Sequence, residues 1–208
     1  MSTVLITGAD TDQGLAHARA FAAADWRILA AGTRPLDDAA RASLGAALAV
    51  EWPYDPLKDG AAEDLAHHLG AEALDAVVFA SETREGIDLP AEELTRDLLV
   101  EAMLVNTYAP LHLAACLQPS LAAGEAPAIV ALVGNAGVTG SSVMPHGFPL
   151  KTSKAALRQM WRNLAVEWRD WGCRCVVSVS GAQTGCHDPV DRVLAAIADP
   201  QTPHYCEV

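Results

Sequence analysis

The sequence predicts an α/β fold in which a doubly wound parallel sheet carries helices on both faces. Short aliphatic runs alternate with longer amphipathic stretches along the whole chain, the pattern of strands followed by helices. The aliphatic runs lack the polar alternation of a sheet with one wet face, so both faces of each strand should be covered. Repeated strand–helix–strand units joined by right-handed crossovers then give a doubly wound sheet.

The predicted elements follow each other in chain order. We expect strands at residues 4–6, 26–31, 48–52, 74–80, 128–133 and 174–180, with a short last strand in 204–208. We expect helices at 13–24, 36–45, 61–69, 94–121, 151–171 and 190–198, the fourth bent at Pro110. Sheets of this kind bind ligands at the carboxyl ends of their strands, so function should lie at that edge.

Length and composition indicate one soluble domain covering residues 1–208. The chain has 208 residues, 51% of them hydrophobic, enough for one core. The net charge of −12 disfavours nucleic acid and anionic membranes, which need a basic face. No apolar run approaches the roughly 20 residues of a membrane span, and no basic leader precedes the first strand, so we expect a cytoplasmic protein.

Five cysteines form neither an even framework nor a CxxC pair. We therefore predict reduced, structural cysteines and no metal site. They are Cys116, Cys173, Cys175, Cys186 and Cys206.

A glycine turn joins the first strand to the first helix. Thr7 and Gly8 are followed by Gly14 six residues later; Gly8 would allow the sharp turn and Gly14 a close approach of helix and strand. In this setting the chain resembles the short-chain dehydrogenase/reductase family, a Rossmann-type family with the fingerprint Thr-Gly-x-x-x-Gly-x-Gly. The middle glycine, where backbone approaches the cofactor pyrophosphate, is Asp12 here.

Asp12 predicts weakened dinucleotide binding. A carboxylate near 4 Å from a phosphate charge costs up to about 4 kcal/mol at an effective dielectric near 20. The alternative that we favour is that Asp12 caps the helix and takes the donors that a phosphate would use. With either role, the resemblance implies Gly8, Asp12, Gly14, Arg34 and Lys154 as the residues facing a cofactor.

The second and fourth strands end in unusual residues. Gly32, Thr33 and Arg34 offer no carboxylate for a ribose 2′-hydroxyl, so Arg34 would select NADP if a dinucleotide binds; alternatively it is a solvated surface residue. The fourth strand of the family usually ends Asn-Asn-Ala-Gly. Glu82 stands at that glycine and brings a second carboxylate to the groove.

Two of the four residues that the resemblance makes catalytic are replaced. Lys154 matches the lysine, but Leu150 stands four residues earlier, where the proton-donating tyrosine belongs. Gly134 falls where the family has a serine. Asn106 matches the helix asparagine, although a structural role at the kink before Pro110 is the commoner use of such a residue.

A histidine could replace the missing tyrosine. The loop of residues 139–148 contains His146, a plausible general acid near neutral pH, with Ser141 or Ser142 as carbonyl partner. The alternative is an exposed, idle side chain. After the sixth strand only 27 residues remain, from Ala182 to Val208, so the family's substrate lid should be nearly absent.

The long helices predict association. The resemblance implies a homodimer, or a pair with a related family enzyme, through the helices from Leu94 to Leu121 and from Lys151 to Trp171. Trp161 and Trp168, seven residues apart, would be interface anchors.

Three functions stay open at this point. The favoured one is a degenerate family member without standard hydride transfer that acts by association. The second is an NADP-dependent oxidoreductase on a small carbonyl or alcohol, using His146. The third is a nucleotide or small-molecule binding protein.

Overall fold

Seven parallel strands form a single sheet in the computed structural model, which describes residues 1–138, 145–179, 189–199 and 201–208. Their order is β3-β2-β1-β4-β5-β6-β7, and every pairing is parallel. Because the chain moves outward from β1 in both directions, a switch point lies between β1 and β4. The strands are β1 (Thr3–Thr7), β2 (Arg27–Gly32), β3 (Leu48–Pro53), β4 (Ala76–Phe79), β5 (Ala128–Leu132), β6 (Arg174–Ser178) and β7 (Tyr205–Glu207).

Helices cover both faces of this sheet. They are α1 (Asp12–Ala23), α2 (Asp38–Leu44), α3 (Ala61–Leu69), α4 (Arg96–Met103), α5 (Ala109–Cys116), α6 (Gln118–Ala122), α7 (Phe148–Glu167) and α8 (Pro189–Ala198). On one face, Leu65 of α3, Leu113 of α5 and Trp161 of α7 share a core with inward side chains of the strands. On the other, Phe21 of α1 and Val193 of α8 do the same. The predicted Rossmann-type, doubly wound architecture is confirmed.

The long helix predicted over residues 94–121 is divided. A π-helical turn, Leu104–Tyr108, separates α4 from α5. Pro110 lies in the first turn of α5, where a residue without an N–H group is tolerated. The break therefore precedes the proline, and the prediction of a bend at Pro110 was displaced by a few residues.

The helix predicted from Lys151 begins at Phe148, with Pro149 in its first turn. It ends at Glu167 and is followed by a 3₁₀ turn, Arg169–Trp171. Trp161 and Trp168 are buried inside the protein. The prediction that these tryptophans anchor an interface was wrong, because both point toward the sheet.

One helical stretch is more apolar than was expected from the sequence. Arg96–Cys116, 21 residues, could cross a membrane by length and composition alone. Core helices of soluble proteins pass the same test, and this stretch is tied to α7 by hydrogen bonds. Asn106 donates to Ser153 Oγ at 3.0 Å, and Thr107 Oγ1 donates to the Ser153 carbonyl at 2.8 Å.

The four cysteines within the described residues are free thiols, as predicted; Cys186 lies outside them. Cys173, just before β6, and Cys175, within it, are buried. Burial raises the pKa of the Cys173 thiol to about 12, which makes it unreactive at neutral pH.

Candidate active site

The glycine turn is determined by close packing at the end of β1. Gly8 has a φ of +62°, and a Cβ there would lie 2.6 Å from the backbone nitrogen of Ser81. A Cβ on Gly14 would lie 2.1 Å from the Gly8 carbonyl oxygen. Both glycines are therefore needed for α1 to pack beside β1 and β4, as the sequence predicted.

The cap of α1 is Thr11 rather than Asp12. Thr11 Oγ1 accepts a hydrogen bond from the Gly14 backbone N–H at 3.1 Å and donates to the Gly8 carbonyl at 2.7 Å. Asp12 is the first helical residue and is exposed. The capping role that we favoured for Asp12 was wrong, because the preceding hydroxyl already fills that position. The carboxylate of Asp12 stays at the positive end of the helix.

An acidic residue does reach the end of β2, contrary to the sequence analysis. Asp10, with its side chain only 6% exposed, accepts hydrogen bonds from Thr33 Oγ1 at 2.9 Å and from the Arg34 backbone N–H at 3.2 Å. Its carboxylate also lies 3.5 Å from Arg34 Nε. A Cβ on Gly32 would lie 2.3 Å from Asp10 Oδ1, so Gly32 makes room for this carboxylate. The Arg34 side chain is 76% exposed, which agrees with the alternative of a solvated surface arginine.

The Lys154 side chain is buried at the carboxyl edge of the sheet, where its ammonium has partners within the protein. Its ammonium is 3% exposed and lies 3.0 Å from Glu82 Oε2, and it donates to the Leu132 carbonyl at 2.8 Å. Arg84 is a further ion-pair partner of Glu82. Burial lowers the pKa of Lys154, and Glu82 opposes that shift only in part. Burial raises the pKa of Glu82, but the charges of Lys154 and Arg84 outweigh burial and hold this pKa below its usual value.

A cavity of about 270 Å³ lies beside this ion pair. Its described lining residues include neither a hydroxyl nor an imidazole; they are Gln13, Glu82, Arg84, Leu132, Val133, Gly134, Asn135, Ala136, Leu150 and Lys154. Leu150 is buried in the first turn of α7. The structure therefore places Leu150 and Lys154 together, as their spacing predicted, with no proton donor of the expected kind among these residues.

Gly134 differs from a serine in more than its side chain. Its backbone has φ +61° and ψ −170°, a region that is essentially restricted to glycine. The N–H groups of Val133 and Gly134 both donate to the Ser178 carbonyl at 3.0 Å. A serine at this position would strain the turn, so the local backbone itself departs from the pattern that the resemblance implies.

Asn106 has partners for both halves of its amide. Its oxygen accepts from the Thr83 N–H at 2.9 Å, and its nitrogen donates to the Thr83 carbonyl at 3.1 Å and to Ser153 Oγ. It is fully buried and does not line the cavity beside Lys154. These contacts agree with the structural role considered for it, because they join the loop after β4 to α7 through the π turn.

His146 is exposed and lies two residues before α7, with a φ of +66°. It is absent from the described lining of the cavity. Ser141 and Ser142 lie outside the described residues. Residues 180–188, where the shortened lid was expected, also lie outside them.

Two features of this edge fit a dinucleotide poorly. The Lys154 ammonium, expected to face a cofactor, is bound by Glu82 and by the Leu132 carbonyl. Asp12 adds an exposed carboxylate at the N-terminus of α1, where a pyrophosphate needs donors and positive charge. Asp10 and Glu82 are themselves paired with cations.

The fold and the glycine turn define a Rossmann-type dehydrogenase architecture. The family model for short chain dehydrogenase matches residues 2–193, and the chain belongs to this family. No curated protein compared with the chain matches it.

Solved structures share the fold at low sequence identity. A short-chain dehydrogenase from Salmonella enterica serovar Typhi CT18 has a TM-score of 0.83 and 19% identity, over 99% of this chain and 95% of that chain. A Streptomyces avermitilis short-chain dehydrogenase has a TM-score of 0.79 and 19% identity, over 100% and 88%. A Burkholderia multivorans structure assigned to this family, with bound NADP, has a TM-score of 0.82 and 19% identity, over 99% and 96%.

Two features of the site were not predicted from the sequence. Glu82 was expected only to bring a second carboxylate to the groove, and its ion pair with Lys154 was missed, although both residues were expected at the same groove. The contact of Asp10, the fourth residue of the glycine turn, with Thr33 and Arg34 was also missed, because it depends on how two loops meet.

Proposed function

We propose that this family member lacks standard hydride-transfer activity and acts through association, with a second copy or with a related family enzyme. One observation carries the proposal: the Lys154 ammonium is bound by Glu82 and by the Leu132 carbonyl, beside Leu150. The resemblance assigns the lysine to a tyrosine and to the nicotinamide ribose. Here the lysine has other partners, and leucine has no proton to give.

The loss is larger than that of one side chain. Removing a positioned general acid costs about 10²–10⁴ in rate, and the serine position is occupied by a glycine whose backbone conformation a serine does not favour. The exposed carboxylate of Asp12, at the N-terminus of α1, opposes the approach of a dianionic cofactor. Each departure acts in the same direction, against hydride transfer.

Cofactor titration tests this proposal. Wild-type protein is titrated with NADPH and NADH while intrinsic tryptophan fluorescence is followed, and turnover is measured on a panel of small aldehydes and ketones. We expect no saturable binding and no turnover. The double variant Glu82→Gly/Leu150→Tyr should gain cofactor affinity, because it removes a carboxylate and releases Lys154.

The matched control is Glu85→Gly/Leu150→Tyr, since Glu85 is an exposed carboxylate of the same loop that does not line the cavity. It should behave like Leu150→Tyr alone. Saturable NADPH binding with turnover by the wild-type protein would exclude the proposed loss of activity.

A cavity beside Lys154 favours the second candidate, an NADP-dependent oxidoreductase on a small carbonyl or alcohol. About 270 Å³ is open there, and the Burkholderia multivorans neighbour contains NADP. His146 would then have to supply the proton. If the wild-type protein is active, His146→Ala should lose that activity while His68→Ala, at an exposed histidine of α3, keeps it. Saturable binding of NADPH or another small molecule without turnover would favour the third candidate, a binding protein.

An apolar groove supports the association half of the proposal. It has a volume of about 350 Å³ and lies between α4, the π turn and α7; its lining residues are Leu99, Val100, Met103, Leu104, Thr107, Tyr108 and Met160. Val100, Leu104 and Tyr108 are 44%, 41% and 53% exposed. A cluster of exposed apolar side chains beside a groove, here on α4 and the π turn, is typical of a protein interface. We assign this groove to a homodimer contact, in place of the buried tryptophans.

Light scattering coupled to gel filtration measures the association. We expect a dimer for the wild-type protein and a monomer for Leu104→Asp, which places a charge in the contact. Leu57→Asp, at an exposed leucine outside the groove, should remain dimeric. A monomeric wild-type protein that also fails to pair with a family enzyme would exclude this part of the proposal.

A further inference from the structure

We propose that Glu63, His112 and Cys116 bind a divalent metal ion of the zinc type on the outer surface of the α3–α5 layer. One ligand atom from each of the three side chains lies within 4.8 Å of the other two. His112 Nε2 is 3.3 Å from Glu63 Oε1. None of the three lines the cavity beside Lys154, so this site is separate from the candidate active site. No metal site was predicted from the sequence, because the cysteines form no CxxC pair and Glu63 is far from His112 and Cys116 in the chain.

Two helices place the three ligands. His112 and Cys116 are four residues apart on α5 and therefore share one face of the helix. Glu63 lies in the first turn of α3, which packs against α5. Leu65 and Leu113 anchor the two helices in the same buried core. A site carried by packed helices is held more precisely than one on loops.

The donor set is one that zinc accepts. Thiolate, imidazole and carboxylate bind Zn²⁺ with bonds of about 2.0–2.3 Å. Tetrahedral coordination at those lengths places neighbouring ligand atoms about 3.3–3.8 Å apart, so small side-chain rotations close the present cluster around an ion. The soft thiolate disfavours Mg²⁺ and Ca²⁺, which prefer oxygen ligands.

The surroundings orient the cluster and leave a coordination position open. The Tyr108 ring stacks on His112 with centroids 5.1 Å apart and an interplanar angle of 23°. Glu63 and His112 also line a cavity of about 230 Å³, which has room for a water molecule as fourth ligand. Burial and then the Glu63 charge raise the pKa of the Cys116 thiol. A bound dication would reverse the second effect and favour the thiolate.

Cobalt titration of the whole protein tests the site. The protein is freed of metal with a chelator under reducing conditions and titrated with Co²⁺, whose bond to a thiolate gives a near-ultraviolet charge-transfer band. We expect one Co²⁺ per chain, a band that Zn²⁺ abolishes by displacement, and no band in Cys116→Ala. His112→Ala and Glu63→Gln should each weaken Zn²⁺ binding on the order of tenfold or more, at least the loss that follows removal of an outer-shell partner.

Cys206→Ala and His68→Ala are the matched controls, since Cys206 is a partly exposed cysteine and His68 an exposed histidine on the same helix as Glu63. Both should bind as the wild-type protein does. Circular dichroism without metal checks the folding of each variant, and Cys116→Ser provides a second thiol-free protein. A band that persists without Cys116, or equal Zn²⁺ affinity without His112, would overturn the assignment. Neither result depends on cofactor binding.

Discussion

Lys154 and Glu82 form an ion pair, and removal of one partner should lower the free energy of unfolding. Lys154 is 3% exposed, and an ammonium buried without its carboxylate is strongly destabilising, by about 3–5 kcal/mol when one partner of such a pair is removed. We expect Glu82→Leu to lower the free energy of unfolding by about 3 kcal/mol, at the lower end because the Leu132 carbonyl still accepts from the lysine. Urea denaturation at neutral pH measures the change.

The double variant Glu82→Leu/Lys154→Met is the control, because it removes both charges and leaves apolar groups of similar size. It should recover most of the lost stability. Equal unfolding free energies for Glu82→Leu and the wild-type protein would show that the pair contributes nothing.

Single residues of the site were predictable to different extents. The spacing to Lys154 located Leu150 correctly, because four residues make about one helical turn. The pairing of Asp10 with Arg34 joins the loops after β1 and β2, 24 residues apart. Such a contact depends on strand register and side-chain rotamers rather than on local pattern. The sequence therefore indicated that the tyrosine and the serine were missing from the site, but it did not indicate the partners of the residues that are present.

At the N-terminus of α1, the N-cap residue Thr11 and the charged residue Asp12 should contribute differently to stability. Thr11 Oγ1 accepts the Gly14 N–H and is the N-cap, whereas Asp12 is the exposed residue that follows. We expect Thr11→Ala to lower the free energy of unfolding by about 1 kcal/mol. Asp12→Ala should cost less, about 0.3–1 kcal/mol through the helix dipole, and this smaller loss should shrink in high salt.

Thermal and urea unfolding at low and high ionic strength separate the two effects. A loss for Asp12→Ala that exceeds the loss for Thr11→Ala and persists in salt would restore the capping role to Asp12.

Helix α7 and strand β7 are joined by Glu207. Its carboxylate accepts from Arg158 Nε at 2.8 Å and from an Arg162 guanidinium nitrogen at 2.9 Å. The hydrogen bond from Arg158 is the main reason that the pKa of Glu207 falls to about 2. A carboxyl whose pKa is lower in the folded state stabilises the protein above its unfolded value, and this contribution disappears as the pH falls through the folded value.

We therefore expect Glu207→Gln to lower the free energy of unfolding by about 1 kcal/mol at pH 7. The difference from the wild-type protein should shrink as the pH falls from about 4.5 toward 2, since the wild-type carboxylate then becomes protonated. Paired denaturation curves at several pH values in this window give the measurement. Glu167→Gln, at an exposed residue of α7, is the control and should show no such trend. A difference in unfolding free energy for Glu207→Gln that does not change with pH would contradict the linkage.

Elements were predicted more accurately than their ends. The bounds of α3 were exact, because Gly70 follows its last residue with a φ of +58°, which the sequence marks as a stop. The division of residues 94–121 was misplaced, since the π turn arises from packing of Asn106 and Thr107 against α7. Local signals fixed the first boundary, and a tertiary contact fixed the second.

For the whole molecule, alternation of strands and helices was enough to predict the layers. Right-handed crossovers then placed α3, α5 and α7 on one face and α1, α2 and α8 on the other. The metal-ligand cluster was not predictable in the same way. Glu63 is 49 residues from His112 in the sequence, and only the packing of α3 against α5 brings them to 3.3 Å.

Arg174 is the first residue of β6 and lies at the edge of the sheet opposite the candidate active site. Its side chain is buried and donates to four carbonyls: those of Ala196 and Ile197 near the end of α8, of Asp199 beyond it, and of Ala126 before β5. A cation at the carboxyl end of a helix is favoured by the helix dipole. This one side chain therefore joins β6 to α8 and to the segment that enters β5.

Arg174→Met should lower the free energy of unfolding by about 3 kcal/mol, because several buried carbonyls lose their donor at once. Arg174→Lys should recover only part of the loss, since one ammonium cannot reproduce the guanidinium fork. Arg169→Met, at an exposed arginine of the turn before β6, serves as the matched control and should leave stability nearly unchanged. Urea denaturation compares the four proteins, and hydrogen exchange of the α8 amides locates the effect. In the strand order, β6 and β7 form one edge of the sheet, whereas β1 and β2 lie toward the other edge. A loss of protection in Arg174→Met should therefore appear in α8, β6 and β7 before it reaches β1 and β2. Uniform loss across the described strands would mean that Arg174 stabilises the sheet as one cooperative unit.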